Sequence, residues 1–135
     1  MHPRLGAVNH IGIAVRDLEE AKRIFAGSLA LPCVEEKTVS ERGVKIAFLS
    51  SGNTTIELLE GIGPESAVSK FVEQRGPGIH HLCFEVDGIE RVMKELAESG
   101  MRLIDEKPRP GAEGKLVAFV HPKSTLGVLV ELIEK

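Results

Sequence analysis

Two histidines and two glutamates, His10, Glu57, His81 and Glu131, stand inside short, strand-like apolar runs of this 135-residue chain. The order is His then Glu in the first half and His then Glu again in the second. His10 and His81 are 71 positions apart (81 − 10), and Glu57 and Glu131 are 74 apart (131 − 57). A carboxylate in an apolar run is costly to bury unless something pairs with it. Two imidazoles and two carboxylates meeting around one divalent cation would remove that cost and create a Lewis acid.

The elements that must position them repeat as well. Residues 8–15 read VNHIGIAV and residues 79–86 read IHHLCFEV, each with His third and Val last. A helix signal follows each run. Asp17 is placed to cap with Glu20 three residues on, and Asp87 and Glu90 repeat the relation. Leu18, Ala21 and Phe25 share a face of the first helix. Ile89, Val92, Met93 and Leu96 share a face of the second, which Gly100 is placed to end.

Three strand-like stretches follow each helix. They are read at about 33–39, 44–50 and 54–60 in the first half, with a tight turn at Gly52-Asn53, and at about 102–106, 116–121 and 127–133 in the second. Each half therefore reads βαβββ, over about 5–61 and 78–135. A linking helix is expected at about 64–76, with Pro64 near its start and Gly76 after its end. The fold class is α+β: two tandem modules forming one cupped, mostly antiparallel eight-stranded sheet in a single domain.

Strand side chains alternate between faces. Ile11, Ile13 and Val15 would pack under the first helix, leaving Val8, His10, Gly12 and Ala14 on the other face. Leu82, Phe84 and Val86 would pack under the second helix, leaving His81, Cys83 and Glu85 opposite. Glu57 and Glu131 likewise point away from Ile56 and Leu58 and from Val130 and Leu132. Curved into a cup, the two halves would aim all four groups at its floor. His80 should face the helix side or a strand edge. His2 and His121 are poor candidates as ligands.

Composition bounds the alternatives. Hydrophobic residues make up 42% and charged residues 27%, ordinary for a globular protein. The net charge of −3 and the lack of Trp and Tyr argue against a nucleic-acid partner. No apolar run approaches the roughly 20 residues of a membrane span. Met1-His2-Pro3-Arg4 lacks the apolar core of a signal peptide. Cys33 and Cys83, far apart, read as buried free thiols of a cytoplasmic protein.

The chain resembles the vicinal oxygen chelate superfamily and, within it, the methylmalonyl-CoA epimerase family. The match is carried by NHIGIAV (9–15), TIELLEG (55–61), GIHHLCFEVDGI (78–89), DEKPRPGAEG (105–114) and HPKSTLGVLVEL (121–132). The resemblance implies metal ligands at His10, His81 and Glu131, with a Glu or Gln at the place of Glu57. It implies cobalt or another divalent ion (manganese, zinc or nickel), an acyl-CoA thioester substrate inverted at C2, and a homodimer. In one respect the chain departs from some relatives: Ile46 stands where they carry a Glu that is a candidate acid/base.

A metal-held enolate would need a base on one face of C2 and an acid on the other. Glu131, in its apolar strand, is the candidate for one of them. Glu57, a water or a loop residue remains open for the other. Lys123, Lys115 and Arg109 lie where a coenzyme tail could be held, or are solvated surface charges. Rival readings on the same scaffold are a glyoxalase I-like lactoylglutathione lyase, a ring-cleaving dioxygenase, and a small-molecule-binding protein without catalysis.

Overall fold

The computed structural model describes residues 5–135, so His2 and the rest of the first four residues lie outside the described part. The described elements are β1 (Val8–Val15), α1 (Leu18–Lys22) continued by a π-helical turn (Arg23–Ser28), β2 (Cys33–Val39), β3 (Val44–Ser51), β4 (Thr54–Gly61), α2 (Ala67–Arg75), β5 (Gly78–Val86), α3 (Ile89–Glu98), β6 (Arg109–Pro110), β7 (Leu116–Val120) and β8 (Val130–Glu134). This is the βαβββ order twice over, an α+β chain with the connectivity of the vicinal oxygen chelate fold.

The chain divides into two compact units. One is residues 10–80, and the other is residues 81–135 with the described N-terminal segment up to residue 9. The division falls inside β1 because the segment before it is held by the second unit: Gly6 N donates to Glu85 O, and Glu85 N to Ala7 O.

Within residues 10–80 the strand order is β2-β3-β4-β1. The β1–β4 pair is parallel, with Gly12 opposite Glu57 and Val15 opposite Glu60. The β2–β3 and β3–β4 pairs are antiparallel. Val15, Leu18, Ala21, Ala47, Leu49 and Leu58 form a core under α1, joined by Ile13, Phe25 and Ile56. Asp17 caps α1, its carboxylate accepting from Glu19 N and Glu20 N. Lys22 reaches from α1 to Glu36 on β2 at 2.7 Å.

The second unit repeats the plan in the order β5-β8-β7-β6. Its β5–β8 pair is parallel, and its other pairs are antiparallel. Val86, Ile89, Val92, Met93, Ala118, Val120, Val130 and Leu132 form the core under α3. Antiparallel pairing therefore predominates in both units.

Four sequence expectations are corrected. No regular strand forms at 102–106. Leu103 makes an isolated bridge to Val120, and the paired segment is β6. Ile104 N still bonds Phe119 O, but Phe119 N is taken by the Asp105 carboxylate at 2.8 Å, which ends the ladder. Secondly, the residue capping α3 is Gly88, at φ 82°, not Asp87; Gly88 offers no side-chain cap. The linking helix starts later than Pro64, behind Ser66, whose hydroxyl accepts from Val68 N and Ser69 N. Lastly, Cys33 is exposed; Cys83 is buried, and both are free thiols.

Candidate metal centre

The buried polar residues among the described ones are His10, Glu57, His81, Glu131 and Ser66. Ser66 is accounted for by its cap. The other four are the candidates read from the sequence, each 6–8% exposed.

In the first unit, β1 and β4 bring His10 and Glu57 together. His10 Nδ1 lies 3.3 Å from Glu57 Oε2. Both side chains leave the sheet on the face opposite α1. Gly12 is the cross-strand partner of Glu57, and Phe48 is its partner on β3. Ile46 shares the Phe48 face and is 4% exposed, so an apolar side chain fills the position where some relatives carry a Glu.

The second unit makes the same arrangement. His81 Nε2 lies 3.2 Å from Glu131 Oε1. Cys83 on β5 and Phe119 on β7 are the cross-strand partners of Glu131. The Phe119 ring sits edge-on to the His81 imidazole, with centroids 6.2 Å apart.

Phe48 and Phe119 are thus equivalent, each opposite a buried carboxylate. Sequence reasoning missed them, although their 71-residue offset (119 − 48) repeats that of the histidines. A ring set beside a carboxylate limits its access to water and so strengthens the electrostatic contacts it makes.

The donor set fits a divalent cation. Two N or O ligands at about 2.0–2.2 Å from one ion stand about 3.0–3.5 Å apart in octahedral or tetrahedral geometry. Both His–Glu separations fall in that range. Imidazole and carboxylate together suit zinc, manganese, cobalt and nickel ions, with no thiolate to bias the site toward softer metals.

The remaining described histidines, His80 and His121, do other work. His80 packs against Phe71 of α2, with ring centroids 4.9 Å apart. His121 Nδ1 accepts from Lys123 N and caps a short 3₁₀ turn, Pro122–Thr125. Desolvation, and then the Arg102 and Lys123 cations, push the His121 imidazole below its ordinary pKa. Of the basic residues considered for a coenzyme tail, Arg109 is paired with Asp105 at 3.1 Å.

A family model for the Glyoxalase/Bleomycin resistance protein/Dioxygenase superfamily matches residues 9–119. The chain belongs to this superfamily. Superfamily members bind divalent metals, and each unit carries a buried histidine and glutamate, residue types that ligate them.

Among its relatives, the chain is 40% identical to the mitochondrial methylmalonyl-CoA epimerase of Bos taurus, over 95% of this chain and 74% of that protein. The crystal structure of methylmalonyl-CoA epimerase from Mycobacterium tuberculosis is similar at a TM-score of 0.91 and 32% identity, covering 99% of this chain and 91% of that one. The Streptomyces coelicolor methylmalonyl-CoA epimerase in complex with 2-nitronate-propionyl-CoA is similar at 0.89 and 29%, covering 97% and 98%. No helix of the described residues is long and apolar enough to cross a membrane.

Proposed function

We propose that the protein is a methylmalonyl-CoA epimerase, interconverting the (2R) and (2S) thioesters by removing and returning the C2 proton. The carrying observation is the pair of buried His–Glu contacts, His10–Glu57 and His81–Glu131, one in each unit. In a chain similar over most of its length to methylmalonyl-CoA epimerases, this chemistry is what those donors are suited to.

On this reading His10, Glu57, His81 and Glu131 hold one divalent cation, with cobalt the first choice. When bound, the cation would supply Lewis acidity toward the thioester and carboxylate oxygens, where enolate charge develops. The residues themselves do the rest. Ligation would use the imidazole lone pairs of His10 and His81, and the buried carboxylates would offset the cation's charge. Phe48 and Phe119 keep water from the two carboxylates. Glu131 exchanges the proton on one face of C2. Ile46 has no proton to give, so the group on the other face is Glu57, a water or a loop residue.

The working form in this proposal is a single-domain subunit of a cytoplasmic homodimer, acting on an acyl-CoA. The free thiols of Cys33 and Cys83 agree with a reducing compartment. Sedimentation at micromolar concentration should return twice the 14.6 kDa chain mass.

A lyase acting on a glutathione hemithioacetal would use a similar donor set. Parallel assays separate the two: the metal-loaded protein should racemise a single methylmalonyl-CoA epimer and leave the hemithioacetal of methylglyoxal and glutathione unchanged. The reverse pattern would assign it to the lyases. Tight binding of the thioester by metal-free protein, without turnover, would make it a binding protein.

A further inference from the structure

Each strand that carries a glutamate of the proposed metal centre carries a second glutamate three residues later. Glu60 follows Glu57 and Glu134 follows Glu131. Alternation sends residues three apart to opposite faces of a strand. Glu57 and Glu131 lie on the faces turned away from the helices, and Glu60 and Glu134 on the faces covered by α1 and α3.

What these second carboxylates touch is the start of the helix that follows the histidine strand. Glu60 Oε1 accepts from Leu18 N at 2.7 Å. The two oxygens of Glu134 accept from Gly88 N and Ile89 N, each at 2.8 Å. Local capping differs between the units, since Asp17 caps α1 and Gly88 gives α3 no side-chain cap. The strand-to-helix carboxylate is nevertheless present in both, so it is more than a replacement for a missing cap.

Its place in the ladder gives it a second effect. Glu60 is the register partner of Val15, and Glu134 of Val86, the last residues of β1 and β5. A slip that kept each side chain on its face would move the strand by two residues, about 6.6 Å. That would pull Glu60 or Glu134 off its helix and separate Glu57 from His10, or Glu131 from His81. The helix carboxylate and the donor pair therefore depend on one register.

We infer that Glu60 and Glu134 are positioning residues: each locks the parallel pair that carries a His–Glu contact, and so sets the spacing of imidazole and carboxylate for metal. The inference rests on the metal reading above. Neither residue touches the reacting atoms.

The test measures cobalt affinity and the visible cobalt spectrum alongside Tm, for wild type, Glu134→Ala, Glu134→Gln, Glu60→Ala and Val68→Ala. Val68 is a buried residue of α2 outside this machinery and serves as the stability control. Glu134→Ala should weaken cobalt binding about tenfold or more and alter the spectrum, as loss of an orienting partner does at metal sites. Glu134→Gln, which still accepts a hydrogen bond, should recover much of the affinity. Glu60→Ala should behave like Glu134→Ala. Val68→Ala should lower Tm and leave affinity unchanged. Folded Glu134→Ala and Glu60→Ala proteins with wild-type affinity and spectrum, at any Tm, would overturn the inference, and should Glu134→Ala fail to fold, Glu60→Ala and Glu134→Gln decide it alone. Wild-type protein that takes up no cobalt or other divalent ion would instead overturn the metal reading, and the positioning role with it.

Discussion

Glu131 Oε1 stands 3.2 Å from His81 Nε2, and both side chains are 8% exposed. In the proposed mechanism this carboxylate exchanges the C2 proton. Glu131→Gln keeps the volume and removes the basicity. We expect solvent hydrogen exchange at C2 of methylmalonyl-CoA to fall by about 10²–10⁴-fold, the range for losing a general base. Unchanged exchange, followed by NMR, would remove Glu131 from the proton path.

Metal uptake should depend on both histidines of the proposed ligand set. His10→Ala and His81→Ala should each weaken divalent-cation binding at least about tenfold. Glu57→Gln should weaken binding too, since it leaves His10 with a neutral neighbour. Isothermal titration of chelator-treated protein with cobalt reads this directly. Loss for the His81 variant with none for the His10 and Glu57 variants would confine the site to one unit.

Stability should fall in acid in a way that Glu134 controls. The Ile89 and Gly88 N–H groups hold its carboxyl below the ordinary value of 4.5. The unfolded chain then binds the proton more readily than the folded one, so this stabilisation is present above pH 4.5 and is lost as pH falls through the folded pKa. Urea midpoints of wild type and Glu134→Ala should differ at pH 7 and converge as the pH falls through the folded pKa of Glu134. A gap that widened on acidification would contradict the assignment.

Core truncation should cost stability where alternation places the helix-covered face. Leu132 is fully buried in the core under α3, next in sequence to Glu131. Leu132→Ala should destabilise by about 2–5 kcal/mol in denaturant titration of metal-free protein. A loss under 1 kcal/mol would mean that the position collapses freely or is not packed as described.

The placement of the candidate residues on their strands was largely legible in the sequence. Period-two alternation in 8–15, 54–60 and 79–86 was enough to separate His10, Glu57 and His81 from the helix-covered face, because a register error would have inverted every neighbour. The π-helical turn at Arg23–Ser28 was not legible, since its apolar spacing resembles that of an α-helix. The segment 102–106 misled because its apolar residues suit a strand. Its fate depends on Asp105, whose carboxylate takes Phe119 N, a tertiary bond that local pattern does not encode. The cap of α3 misled for the same reason. The groups that accept from Gly88 N and Ile89 N lie on Glu134, more than forty residues away. Phe48 and Phe119 were findable from the repeat offset alone, but an aromatic in a strand is ordinary enough to pass unnoticed.

The central claim is that removal of the C2 proton depends on a bound divalent ion, for which His10, Glu57, His81 and Glu131 are the proposed ligands. Incubating a single methylmalonyl-CoA epimer in heavy water, with metal-loaded protein and with chelator-stripped protein, tests it most directly. The loaded protein should erase the handedness of the substrate and place deuterium at C2, and the stripped protein should do neither until metal is returned. Equal racemisation and labelling by protein shown to be metal-free would contradict it.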